Sequence, residues 1–216
     1  MLKTIATAAS ILFVVSIPAV ANASQVHDSI APPTDKIVID VVAVNGSGCP
    51  ANTATVSEQP DNTAFTVVYS NYLASIGVGA TPTDLRKNCQ LTVHVHTPQG
   101  FSFAVARAEY RGFAQLAAGA SGTERANYYF QGSPKTTSVE HSFNGPFSDD
   151  WVAVDTTDVA SLVFSPCGMD RDLNINTELR VDDGTSDTTT TTSFMTMDST
   201  HAGVQTIYHF AWASCS

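Results

Sequence analysis

The chain has 216 residues with 20 acidic against 10 basic side chains, a formal net charge of -10 at neutral pH. A chain this acidic repels a phosphate backbone, which excludes nucleic acid as a partner. Its longest apolar run, Ile5 to Ile17, falls short of the roughly 20 residues that a membrane-spanning helix needs.

That run follows the positive start Met1-Leu2-Lys3 and precedes the small residues Ala21-Asn22-Ala23, the pattern of a secretory signal peptide over residues 1–23. No later segment, including the end after Cys215, offers a second hydrophobic anchor. The expected product is secreted to the extracellular space, soluble and monomeric. Removing the signal takes one Lys and no acid, leaving 9 basic against 20 acidic groups, or -11 over 193 residues.

Residues 24–35, polar and ending near Pro32-Pro33, read as a flexible leader. Lys36 to Asn45 is nearly continuous in Ile and Val, broken only by Asp40, and predicts a strand covered on both faces. Further strands are predicted over Ala64–Ser70, Gln90–Thr97, Phe101–Ala108 and Ala126–Gln131. Leu173 to Val181 alternates most cleanly, with Leu173, Ile175, Thr177, Leu179 and Val181 on one face of a half-buried antiparallel strand. Asp182 to Ser193, with five threonines at Thr188–Thr192, reads as a mobile loop. The last strand, Val204 to Ala213, places Tyr208, Phe210 and Trp212 together and is expected to be central.

Glycine and proline clusters punctuate these runs at the intervals of a sandwich, and no long segment has helical periodicity. The expected fold is all-β: one two-layer antiparallel β-sandwich, jelly-roll-like, of about ten to twelve strands over residues 36–216. Four cysteines, Cys49, Cys89, Cys167 and Cys215, are too far apart in sequence for zinc and predict two disulfides in an oxidising compartment. Three connectivities are open. Cys49 with Cys89 and Cys167 with Cys215 are favoured because they close the shorter loops, each contributing about 4 kcal/mol.

Several motifs in order around these cysteines carry a resemblance: Gly46-Ser47-Gly48-Cys49-Pro50, Pro82-Thr83-Asp84-Leu85-Arg86-Lys87-Asn88-Cys89-Gln90-Leu91, Pro98-Gln99-Gly100-Phe101 and Tyr110-Arg111-Gly112-Phe113-Ala114. Tyr128-Tyr129-Phe130, Leu173 to Arg180, and Ile207-Tyr208 with Trp212 and Cys215 extend it over nearly the whole chain after the signal. The chain resembles an uncharacterised family of secreted, four-cysteine, β-rich proteins, a domain of unknown function. That resemblance implies export and a compact disulfide domain, and it supplies no reaction and no catalytic residues. The threonine-rich loop is longer than the resemblance leads one to expect.

Candidate chemistry is sparse. Arg86, Lys87, Arg107, Arg111 and Arg125 concentrate positive charge in one stretch, readable as loose surface pairing or as an anion site for an acidic polysaccharide. His94 and His96 project from one strand face and would hold zinc or copper only with a third ligand from elsewhere. Asp170 and Asp172, and the acids from Asp182 to Asp187, would need many further oxygens to hold calcium. No cofactor is therefore expected. Glu58, Glu109, Glu124, Glu140 and Glu178 are scattered without a hydrolase signature, and the Gly-x-Ser-x-Gly elbow and phosphate-cradling loops are absent. Among the aromatics, Trp151 has the best claim to an exposed loop where it could stack on a sugar. The leading expectation is a non-enzymatic binder of carbohydrate or cell-envelope polymer, ahead of an extracellular polymer hydrolase and a structural or protein-interaction role.

Overall fold

Alternating burial along the chain builds twelve strands, in a computed structural model that describes residues 30–157, 161–169, 171–197 and 205–215. The predicted signal peptide, the start of the leader and Asp170 lie outside the described residues. In chain order the strands are β1 (Val38–Asn45), β2 (Ala54–Glu58), β3 (Ala64–Tyr69), β4 (Leu73–Gly77), β5 (Arg86–His96) and β6 (Phe101–Leu116). They continue as β7 (Ser121–Phe130), β8 (Thr137–Asn144), β9 (Phe147–Thr156), β10 (Leu173–Asp182), β11 (Thr192–Thr196) and β12 (Thr206–Ser214). No helix is found among them, and no helix of the described residues is long and apolar enough to cross a membrane.

All pairings between these strands are antiparallel and form two sheets, as the alternation predicts. One sheet has five strands in the order β1-β5-β10-β7-β8. The other has seven, in the order β2-β3-β12-β6-β11-β4, with β9 on the free side of β6. The long strand β6 pairs with β12 through its first half and with β11 near its end. The turn at Gly145-Pro146 carries the chain from the β8 edge of one sheet to the β9 edge of the other.

The core lies between the sheets. β10 supplies Leu173, Ile175, Thr177, Leu179 and Val181 to it, each nearly or fully buried, on the face its sequence pattern predicts. β12 is central, between β3 and β6, with Tyr208 stacked on Phe65 at 4.8 Å and Phe210 packed on Phe65 and Phe103. Cys49 pairs with Cys89 inside this core, and Cys167 pairs with Cys215 at one end of the sandwich, with Cα separations of 5.3 and 5.7 Å. Both are the favoured pairs.

One expectation is corrected. β1 is not covered on both faces: it is the edge of the five-stranded sheet, and Val38, Val41 and Val42 are 48, 45 and 56% exposed. A register shift between Val41 and Ala43 breaks its alternation, so a valine run that looks doubly buried wraps an edge instead. That edge is partly closed, because the Ile37 and Ile39 N–H groups donate to Asn62 Oδ1 and Glu58 Oε1. The threonine-rich segment joins β10 to β11 and is laced by local hydrogen bonds. Asp187 accepts from the Thr189 N–H and hydroxyl and from the Thr190 hydroxyl, and β11 begins already at Thr192.

Candidate functional site

Antiparallel register assembles a polar platform on the outer face of the five-stranded sheet. Inward positions of β5 and β10 are apolar, so the alternate positions Asn88, Gln90 and Thr92, and Asn174, Asn176 and Glu178, turn outward. Cross-strand partners then align Asn45, Gln90, Asn176, Asn127 and Ser138 in one row over all five strands. With strands spaced by about 4.8 Å the row is about 19 Å long. Among the described residues, Gln90, Asn127 and Asn176 have no side-chain hydrogen-bond partner, which leaves three carboxamides open to a ligand. Beside the row, Thr92 donates to Asn174 Oδ1 at 2.9 Å, and Tyr129 stands next to Asn174 with its ring half-exposed.

Charges flanking the row cancel in pairs. Arg86 bonds Glu178, Arg125 reaches Glu140 at 2.6 Å, and Arg180 reaches Asp182 at 2.8 Å. Hydrogen bonds donated to Glu178 and Glu140 hold the Arg86 and Arg125 guanidinium pKa values above their ordinary level. Exposed pairs of this kind are each worth at most about 1 kcal/mol, so their main effect is to cancel the charge of these six side chains beside the row.

The five basic residues of the sequence cluster are not brought together. Arg86 and Arg125 lie on the outer face of the five-stranded sheet and Lys87 bonds Asp84 at 2.8 Å, whereas Arg107 and Arg111 lie on the seven-stranded sheet and clamp Glu109 between them. The Arg111 guanidinium, ahead of Arg107, holds Glu109 below the usual carboxylate range. Burial, and then the Arg107 charge, keep the neighbouring His209 below its ordinary value. All five cations are thus paired with acids.

Trp151 is not in a loop. It lies within β9 and is 2% exposed, packed on Phe143 at a ring distance of 5.4 Å. Its register partner is Gly112, where an added Cβ would come within 2.4 Å of the indole, so the missing side chain is what lets the ring turn inward. His94 and His96 do share a face, with rings 4.6 Å apart, and bond Asp172 and Asp40 at 2.9 and 2.7 Å. Among the described residues, no group of three or more His, Cys, Asp or Glu side chains is placed to hold a metal ion.

A second constellation lies inside the sandwich, around Glu124, one of the five scattered glutamates of the sequence. Glu124 is fully buried and, among the described residues, neither carboxylate oxygen has a hydrogen-bond partner. Burial, then the nearby Asp155 and Glu140 charges, push its pKa well above the usual carboxylate range. Asp155 is better served, accepting from the Tyr128 hydroxyl at 2.7 Å and bonding His141 Nε2 at 2.7 Å. Tyr110 bonds Tyr128, and Tyr72 bonds Thr177, within the same interior. Tyr69 and Tyr208 present further buried hydroxyls, and burial pushes the Tyr69 phenol up to about 12. No sequence signal for the amide row existed beyond the alternation of Asn174 and Asn176, since its members come together only through register.

With this geometry in view, residues 35–215 match the family described as "Domain of unknown function (DUF4360)". A protein of Arthroderma benhamiae named "Uncharacterized secreted protein" is 37% identical over 186 residues, covering 86% of this chain and 75% of its own length. Among solved structures, the enzymatically active domain of bacteriophage CBA120 tailspike protein 4 aligns at 15% identity and a TM-score of 0.25. That alignment covers 80% of this chain but only 19% of the tailspike chain.

Proposed function

We propose, from the premise that the chain belongs to the DUF4360 family of secreted proteins, that it binds an uncharged carbohydrate polymer across the outer face of its five-stranded sheet, without catalysis. The single observation that carries the reading is the row Asn45, Gln90, Asn176, Asn127 and Ser138, with open carboxamides and a half-exposed Tyr129 beside it. Sugar hydroxyls both donate and accept, and a carboxamide does the same from one side chain. A tyrosine ring offers an apolar face with a polar edge for a pyranose to stack on. Cancelled charge on the same face disfavours an acidic polymer and leaves a neutral one as the better match. Hydrolysis finds less support, because Glu140 and Glu178 on this face are held by arginines and the Glu124 and Asp155 pair faces the core.

The test is affinity electrophoresis of the secreted, oxidised protein through gels containing neutral β-glucan, mannan or galactan, with polygalacturonate as the anionic control. Retardation by a neutral polymer is expected. Replacing both Asn127 and Asn176 by Ala should weaken it roughly tenfold, the loss of two ligand hydrogen bonds. Unchanged retardation in that variant, preference for polygalacturonate, or release of soluble oligosaccharide would each overturn the reading.

A further inference from the structure

At the end of the sandwich remote from the β8–β9 turn, a cleft of about 430 Å³ opens between the β5–β6 turn and the segment that precedes β10. This volume falls in the range of small-ligand sites. Val95, Phe101 and Phe103 form one wall, and Pro166, Met169 and Arg171 form the other.

The second wall is fixed to the first. The Ser165 N–H donates to Phe103 O at 2.7 Å, the Phe103 N–H donates to Ser165 Oγ at 3.1 Å, and the Ser102 hydroxyl donates to Ser165 O at 2.6 Å. The Cys167–Cys215 disulfide and the Cys215 N–H to Gly100 O bond, 2.8 Å, close the same end. These bonds fix one wall to the other, so the cleft keeps its shape without a ligand and offers the apolar surface of Val95, Phe101, Phe103 and Met169 beside the polar groups of Thr97, Gln99 and Arg171.

Two features then ask for an occupant. Met169 leaves 53% of its surface exposed at the cleft, a large apolar side chain without cover. Arg171, which lines the same cleft, is the one arginine among the described residues without a carboxylate partner; Arg86, Arg107, Arg111, Arg125 and Arg180 each have one. In a chain with twice as many acids as bases, an unpaired guanidinium lining a cleft is free to pair with an anionic ligand.

We propose that this cleft binds a small aromatic carboxylate, its ring against Phe101 and Met169 and its carboxylate on Arg171. An aromatic body suits the lining better than a flexible chain, because ring edges meet the Met169 thioether favourably and a rigid plane loses less freedom on binding. The site shares no residue with the amide row, so it stands or falls independently of glycan binding.

Trp212 supplies a readout, since its ring lies 6.2 Å from that of Phe101. Isothermal titration calorimetry, backed by tryptophan fluorescence, would follow the secreted, oxidised protein with 3-phenylpropanoate, 3-phenylpropan-1-ol and octanoate. The carboxylate with the ring is expected to bind best. Arg171→Gln should weaken it roughly tenfold or more, the loss of a charge-assisted hydrogen bond, while leaving the weak binding of the alcohol unchanged. Arg171→Lys should recover part of the loss. Arg171 is exposed, so neither substitution threatens the fold. Absence of 3-phenylpropanoate binding, equal binding by Arg171→Gln and the unaltered protein, or octanoate binding as tightly as the aromatic acid would overturn the proposal.

Discussion

Replacing Glu124 by Gln should stabilise the protein at neutral pH, although the change is made in the middle of its core. The carboxyl is fully buried in register with Leu179 and His141, and Asp155 and Glu140 add negative charge nearby. His141 does not relieve it, because its Nε2 is spent on Asp155 at 2.7 Å. Tyr69 and Tyr208 hydroxyls face the same interior without a described partner. The folded-state pKa is therefore raised above the unfolded value of 4.5. Below that value both states hold the proton and no stability is lost. As pH rises, the unfolded chain ionises and the folded chain does not, so stability falls by about 1.4 kcal/mol per pH unit until the folded pKa is reached. Gln cannot ionise and removes this slope.

In a domain of this size about 1 kcal/mol corresponds to roughly 2–4 °C in Tm. The difference in Tm between Glu124→Gln and the unaltered protein should therefore widen by roughly 3–6 °C per pH unit above pH 5. Thermal melts of both proteins at pH 5, 6, 7 and 8 measure it directly. Parallel curves, or a variant less stable at pH 7, would refute the argument and show that the carboxylate has a stabilising partner inside the sandwich.

The remaining predictions concern cross-links and packing. Cys49 and Cys89 are buried while Cys167 is exposed, so mild reductant followed by alkylation and mass mapping should label Cys167 and Cys215 first; simultaneous labelling of all four would contradict the burial difference. Replacing Cys49 and Cys89 by Ser opens a loop with a sequence separation of 40 and should cost about 4 kcal/mol in urea unfolding. Trp151→Ala should cost about 3–5 kcal/mol of stability and leave glycan retardation of the folded fraction intact, as befits a core residue. Loss of retardation without loss of stability would return Trp151 to the ligand surface.

Local pattern was enough wherever one neighbour decided the outcome. In β10 every second residue is apolar or Thr177, and those five positions are all buried, because strand geometry alone sends alternate side chains to opposite faces; on the other face only Asn174 is also buried. The disulfide pairs followed from loop length in the same way. β9 shows the limit of that reasoning. Its hydropathy favours burying Val152 and Val154, yet these are 52 and 39% exposed, while Trp151, Ala153 and Asp155 face the core. A shift of one residue inverts a strand, and here the choice is made by Gly112 making room for an indole and by Tyr128 and His141 satisfying a buried acid.

By itself the sequence determined the all-β class, the strand-forming segments, the two cross-links and the character of an exported, acidic chain, because each depends on composition or on spacings of a few residues. Tertiary structure alone decided which strand became an edge, which of the scattered carboxyls was buried and where a ligand could lie. Asn45 and Asn176 are 131 positions apart yet share one row, and Arg171 and Phe101 line one cleft only because a disulfide and Ser165 close the end of the sandwich. Register across five strands converts such distant residues into one surface, and register is a property of the packed sheets rather than of any single strand.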